Sequence, residues 1–249
     1  MTGSPPPSNI DGNYILATLD KAESRQFFSQ LESVSLSQGD MIYEPDGRID
    51  YVYFPDTAIF SMLATMSDGS TVEVGPVGHE GLVGLRVFLG ARMSRYQVIV
   101  HVEGHARRMK ADSFRAALNS DNFLITPPLL RYTQMLLSMT GQSTACNKRH
   151  VLDQQLARWL LMMRDYVGDE LSLTHELMAL TLGVRRAGIS TAANEFKQAG
   201  LIDYQRGHIQ IINGQGLEAV ACECYGEVKE EYESLYADLA GMQSTRDAE

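Results

Sequence analysis

Disulfide staples, a membrane span and a general excess of positive charge are all missing from this 249-residue chain. Its three cysteines, Cys146, Cys222 and Cys224, are an odd number in a chain large enough to bury a core without staples, which suits a reducing compartment. No stretch approaches the roughly 18 consecutive apolar residues that a bilayer-spanning helix needs. The opening "MTGSPPPSNIDGN" has neither a basic nor an apolar segment of the kind found in signal peptides. Its prolines, serine and glycines predict a disordered arm over 1–13, and a soluble cytoplasmic protein is expected. Bases are also scarce, 21 against 31 acids, a net charge of −10. That shortage at first sight excludes a nucleic-acid partner, but its location matters. Residues 217–249 hold nine acids and two bases, a net −7, so the rest of the chain carries only −3. A local positive face is compatible with a negative total, because nearby charges set the field at a surface.

What is present changes texture along the chain. From about 34 to 110, runs rich in Val, Ile, Tyr and Phe (41–43, 51–54, 59–63, 71–75, 97–102, 107–109) alternate with Gly/Asp turns. "MSDGST" between two of them is a hairpin turn. Strands so spaced predict an antiparallel roll or barrel. Helical spacing follows: a short helix over 112–118 with Asp112 as N-cap, then a long one over 129–147 started by Pro127-Pro128. Leu129, Tyr132, Leu136, Met139, Ser143 and Cys146 form a stripe along the long helix. The stripe serves either to pack on the roll or as a dimer seam, and its narrowness over about five turns argues for the seam. A helix over 151–167 places Trp159 in the core. Two short helices, a β-hairpin and a final amphipathic helix from Leu217 complete the chain, with the acids on the solvent side of that last helix.

The segment 174–201 reads as two helices joined at Gly183. Thr174 is a suitable N-cap and, with His175, is expected to contact DNA, while Leu177, Met178 and Leu182 turn inward. Ala179 is small enough for a close helix crossing, and Gly183 suits a left-handed turn. Val184, Ile189 and Ala192 then form the buried face of the second helix, which is helix-turn-helix spacing. The opposite face carries Arg185, Arg186, Ser190, Thr191 and Asn194, residue types that meet DNA phosphates and base edges. "LIDYQRGHIQII" adds a strand–turn–strand wing with Arg206 and His208 at its tip. Gly188 inside the second helix either permits close approach to DNA or is tolerated at a cost of roughly 1 kcal/mol.

In these features the chain resembles the cyclic-AMP-receptor/fumarate-nitrate-regulator (Crp/Fnr) superfamily of bacterial transcription regulators. The likeness lies in "GDMIYEPDGRIDYVYFPDTAIFSML", "DGSTVEVGPVGHEGLVG", "QLARWLLMMRDYVGDELSLTHELMALTLGVRRAGIS" and "AGLIDYQRGHIQI". It implies an α+β chain: an N-terminal antiparallel β-roll (cyclic-nucleotide-binding-domain-like) over 14–126, a long dimerisation helix over 127–150, and a C-terminal winged helix-turn-helix domain over 151–249. It further implies a homodimer that binds double-stranded DNA at a palindromic promoter site and works with RNA polymerase. Arg186 sits where the family places its principal base-reading arginine, whereas Ala187 replaces a glutamate common in many members. In the sensor, cyclic-nucleotide-binding relatives carry Gly-Glu for the ribose and Arg-Ser for the phosphate. Here Gly84 is followed by Leu85, and Arg95 follows Ser94 in reversed order. The expectation is a degenerate effector pocket around Gly84, Leu85 and Arg95 that does not answer to cyclic AMP, its effector unidentified.

Rival readings rest on weaker signals. Cys222 and Cys224 offer half a metal site or a thiol switch, but within one helix residues two apart point away from each other, which favours core packing. His79 reads as polar surface, or as a haem ligand as in some relatives. The iron–sulfur segment of other relatives is absent. No cofactor, metal or catalytic residue is therefore expected. The alternatives are a cupin-like β-barrel metalloenzyme with an appended helical domain, for which His101 and His105 lack clustered partners, and a dimeric scaffold without DNA binding.

Overall fold

The computed structural model describes residues 12–20, 24–119, 123–205 and 207–246. Of the arm expected over 1–13, residues 1–11 lie outside this range. Asn13 belongs to the fold: it is buried, donates to the carbonyls of Pro55 (3.1 Å) and Gly81 (2.8 Å), and caps α1 (Tyr14–Ala17). After α2 (Arg25–Phe28) come β1 (Glu32–Leu36), β2 (Met41–Tyr43), β3 (Tyr51–Pro55), β4 (Ile59–Thr65), β5 (Thr71–Val77), α3 (Leu85–Phe88), β6 (Gln97–Val102) and β7 (Gly104–Lys110). Then follow α4 (Ala111–Leu118), α5 (Thr126–Arg149), α6 (Leu152–Val167), β8 (Glu170–Ser172), α7 (His175–Leu182), α8 (Arg186–Gln198), β9 (Ile202–Gln205), β10 (His208–Ile211), α9 (Gly214–Val220) and α10 (Cys224–Arg246). The chain is α+β.

By packing, the chain divides into two compact units. One contains the described residues up to Met62, Gly75–Ser138 and those from Glu231 onward; the other contains Leu63–Val74 and Met139–Glu230. This division departs from boundaries at 126 and 150, because α5 and α10 each run through both units and the β4–β5 tip groups with the second. Trp159 shows why the tip does so: its indole N–H donates to Glu73 Oε1 at 3.3 Å.

In the first unit, β1–β7–β3 and β2–β6–β4–β5 form two sheets. Val98 and Val100 point inward by alternation along β6, whereas β3 and the start of β4 are buried on both faces, with Val52, Phe54, Ile59 and Phe60 all enclosed, and Ala106 and Met109 of β7 are buried as well. Phe27, Phe54 and Phe114 meet edge to face, with ring centroids 6.1–6.5 Å apart. Strand β1 is a weak signal, since Val34 and Leu36 are its only apolar residues and neither is fully buried. The ladder from Glu32↔Arg108 to Leu36↔Gly104 defines it. Lys110, not Asp112, is the N-cap of α4; Asp112 stands in the first turn and pairs with Arg115. His79 is half-buried rather than polar surface, its ring 4.6 Å from that of Tyr14.

Burial lowers the His101 and His79 pKa to about 4 each. Both rings are neutral in the fold, whereas the unfolded chain binds protons near pH 6.5. Their contribution to stability is therefore complete above about pH 6.5 and is lost as pH falls towards 4. The buried His101 ring is expected to cost roughly 2 kcal/mol between pH 7 and pH 5, and the half-buried His79 ring less. Urea unfolding at the two pH values measures it, and His101→Leu should remove one ring's share of the loss. An unchanged loss in that variant would show that His101 titrates as it does in the unfolded chain.

Along α5 the structure corrects the seam. Leu129, Tyr132, Met139 and Cys146 are all 5% exposed or less within the single chain, and Leu136 and Ser143 are half-buried. Most of that stripe is thus enclosed within the single chain. The opposite face bears exposed Leu130 and Leu137, with Gln134 and Gly141 between and beyond them.

The second unit holds the three-stranded sheet β8–β10–β9. Strand β8 is not visible in sequence because Leu171 is its only buried residue. The expected continuous final helix is two helices, α9 and α10, interrupted at 221–223. Cys222 lies in that interruption and Cys224 opens α10, so the helical argument for their divergence fails. Both are buried beside Cys146, whose Sγ is 3.6 Å from that of Cys222, and burial pushes the Cys146 thiol up to about 12.

Candidate nucleic-acid interface

Thr174 opens α7 by accepting a hydrogen bond from the Leu177 amide at 3.1 Å. Met178, Ala179 and Leu182 are buried, and Gly183 closes the helix with φ 63°, where a side chain would be strained. The Val184 amide donates to the Ala179 carbonyl at 3.0 Å and completes the turn. Arg185 is the N-cap residue of α8, and Ile189, Ala192, Ala193 and Phe196 bury that helix's inner face. Helical geometry then leaves Arg185, Arg186, Ala187, Thr191 and Asn194 exposed together.

These side chains are arranged but little constrained. Arg186 Nε lies 3.3 Å from Glu176 Oε2, with both side chains about two-thirds exposed. Ser190 is half-buried and 3.0 Å from His175 Nδ1, while the His175 ring stacks on Tyr204 with centroids 4.2 Å apart. Burial, helped by the Arg186 charge, lowers the His175 pKa, so the ring stays neutral near pH 7. Thr191 returns its hydroxyl to the Ala187 carbonyl at 3.1 Å. At Gly188 an added Cβ would stand 3.0 Å from Leu152 Cδ2 on α6, a tight contact that the leucine would have to yield to. Gly188 faces the neighbouring helix. In the wing, His208 is exposed with Nδ1 3.4 Å from Ser172 Oγ, and Arg206 lies outside the described residues. Lys197 reaches Asp203 at 2.6 Å and the Tyr204 carbonyl at 3.2 Å, tying α8 to β9.

The residues expected to line an effector pocket stand in the following local settings. Gly84 has φ 94° and precedes α3, where Leu85 is buried. Arg95 is largely exposed and pairs with Asp46 at 3.3 Å. Ser94 is buried, but its hydroxyl donates to the Tyr96 carbonyl at 2.6 Å. Arg86 Nε donates to the Met93 carbonyl at 3.0 Å.

Two family models match the sequence in tandem: a cyclic nucleotide-binding domain over residues 33–121 and a Crp-like helix-turn-helix domain over residues 154–220. The chain belongs to the Crp/Fnr superfamily of transcription regulators. Solved Crp/Fnr structures share its fold. FixK2 from Bradyrhizobium japonicum is 19% identical, with a TM-score of 0.66 over 77% of this chain and 98% of that one. TTHA1359, a CRP/FNR-family transcriptional regulator from Thermus thermophilus, is 21% identical, with a TM-score of 0.64 over 76% and 98%. A putative crp/fnr-family regulator from Eubacterium rectale is 18% identical, with a TM-score of 0.63 over 83% and 96%. At these identities the likeness speaks for the fold alone. Comparison with curated proteins yields no match.

The metalloenzyme alternative finds no support in this Crp/Fnr chain. His101 is buried on β6, whereas His105 is exposed on β7 and bonds Ser35 at 3.2 Å, so the two do not converge. Among the described residues no helix is long and apolar enough to cross a membrane.

Proposed function

We propose that this Crp/Fnr regulator acts as a homodimer that reads a two-fold-symmetric DNA site through paired α8 helices. The observation that carries the reading is the exposed row Arg185, Arg186, Thr191 and Asn194, backed by the buried face of Ile189, Ala192 and Phe196. Arg186 reads a base edge, Thr191 and Asn194 follow the groove, and Thr174, His175, Ser190, Arg206 and His208 position the helix against the backbone. The α8 N-terminus adds free amides and a positive dipole end. The exposed Leu130–Leu137 face of α5 supplies the seam in place of the buried stripe. Selection of bound duplexes from random DNA by the full-length protein tests this. The expected product is a palindrome whose half-sites lie about one helical turn, ~34–36 Å, apart. Recovery of no common sequence would sink the proposal.

The β-roll of this regulator is proposed not to answer to cyclic AMP. Leu85 offers no hydrogen bond to a ribose hydroxyl, and an unmet polar group costs ~1–3 kcal/mol. The charge of the cyclic phosphate needs a held arginine, and Arg95 is turned to solvent against Asp46. Titration calorimetry with cyclic AMP and cyclic GMP is expected to show no micromolar binding. Such binding, coupled to tighter DNA association, would refute this.

A further inference from the structure

Four donor side chains from separate parts of the sequence meet at the C-terminal end of α5. Cys146 and His150 stand one helical turn apart, and Cys222 and Cys224 flank Glu223 where α9 gives way to α10. Their ligand atoms all lie within 4.8 Å of one another. Cys146 Sγ is 3.6 Å from Cys222 Sγ, and Cys224 Sγ is 3.6 Å from His150 Nδ1. From this juxtaposition we infer that Cys146, His150, Cys222 and Cys224 form a mononuclear site for a thiophilic divalent cation of the zinc class.

The geometry suits one ion. Bonds of about 2.3 Å to sulfur and about 2.0–2.1 Å to nitrogen set tetrahedral donors roughly 3.5–3.8 Å apart, close to the two 3.6 Å separations. An iron–sulfur cluster places several metal atoms between its ligands and needs its thiolates spread further. Three thiolates and one imidazole also match a closed structural zinc set.

The surroundings match a ligand set more closely than a packed core. Glu223 Oε2 lies 3.2 Å from His150 Nε2. A proton held there leaves the Nδ1 lone pair facing the three sulfurs, the carboxylate–histidine arrangement that orients metal-bound imidazole. Gln142 Nε2 donates to Cys224 Sγ at 3.1 Å, as amides do to bound thiolates. Three thiolates on a dication leave a net charge of −1. Arg158 balances it: the residue is only 5% exposed, its charge acts on Cys146, and its Nε has no hydrogen-bond partner. A buried cation with an unsatisfied donor is costly beside neutral thiols and reasonable beside an anionic centre. The ion pins the end of α5 to the irregular 221–223 segment.

This goes beyond the DNA-binding reading and does not depend on it. The test uses full-length protein purified under reductant, with zinc and then cobalt added as the probes. Mass spectrometry should find about one zinc per chain, and cobalt should give intense visible bands and thiolate charge transfer of tetrahedral coordination. Cys222→Ser and Cys224→Ser should each lose more than about tenfold in affinity, as loss of a first ligand exceeds the effect of a distant one. Glu223→Gln should weaken binding by roughly ten- to a hundredfold with its circular dichroism unchanged, which separates orientation of His150 from folding. The inference is overturned by weak octahedral cobalt spectra, by wild-type affinity in Cys224→Ser, or by recovery of a Cys146–Cys222 disulfide with no metal retained.

Discussion

Leu137→Asp is expected to convert the protein from dimer to monomer and to abolish tight binding to its palindrome. Leu137 is 70% exposed, so the substitution leaves the protomer's own packing intact. Leu130 and Leu137 are one heptad apart, and in a parallel two-fold pairing of α5 such positions lie along the axis and meet their own counterparts. Two carboxylates would then be buried together against Leu130, and an unpaired buried charge costs several kcal/mol. The consequence for DNA is larger than the local cost. Two linked recognition helices gain about 10²–10⁴ in affinity from the second half-site, and a monomer forfeits it. Sedimentation equilibrium and gel-shift titration on the selected site measure both effects. Leu136→Asp is the contrast, because it strikes a half-buried position and should destabilise folding instead. A Leu137→Asp protein that remains dimeric and binds normally would place the seam elsewhere.

Arg186→Ala is expected to weaken binding to the selected site by roughly 1–3 kcal/mol per half-site and to relax one base preference. Both half-sites change at once, so the total is roughly 2–6 kcal/mol, on the order of 30-fold to more than 10⁴-fold. The Glu176 ion pair does not stand in the way. Both partners are about two-thirds exposed, and such pairs are worth about 0–1 kcal/mol, well under the gain from a base contact. Competition titration against random duplex separates lost specificity from lost charge. Equal affinity of variant and wild type for the selected duplex would remove Arg186 from the interface.

Where a segment's role depends on its own periodicity, it was legible in the chain. The roll strand at 97–102, the helix-turn-helix around Gly183, and the outward set Arg185, Arg186, Thr191 and Asn194 follow from alternation or helical spacing with one buried face, and the strand at 51–54 from a short apolar run buried on both faces. Strands β1 and β8 were not, because each carries too few apolar residues to announce itself and exists through its ladder partner. For Gly188, the tight neighbour is Leu152, 36 positions earlier and on another helix.

The sequence by itself determined the two-part architecture, the family, and the surface of α8, since local spacing dictates which side of an element is apolar. It left open which apolar stripe of α5 faces outward. Leu129, Tyr132 and Met139 look like a seam until the rest of the protomer covers them and leaves Leu130 and Leu137 bare. The Cys146–His150 spacing was readable as one helix face and Cys222–Cys224 as a short pair, yet 71 residues separate the sets. Only the tertiary structure decided that they converge, because the break at 221–223 frees Cys222 from helical geometry and turns it beside Cys146.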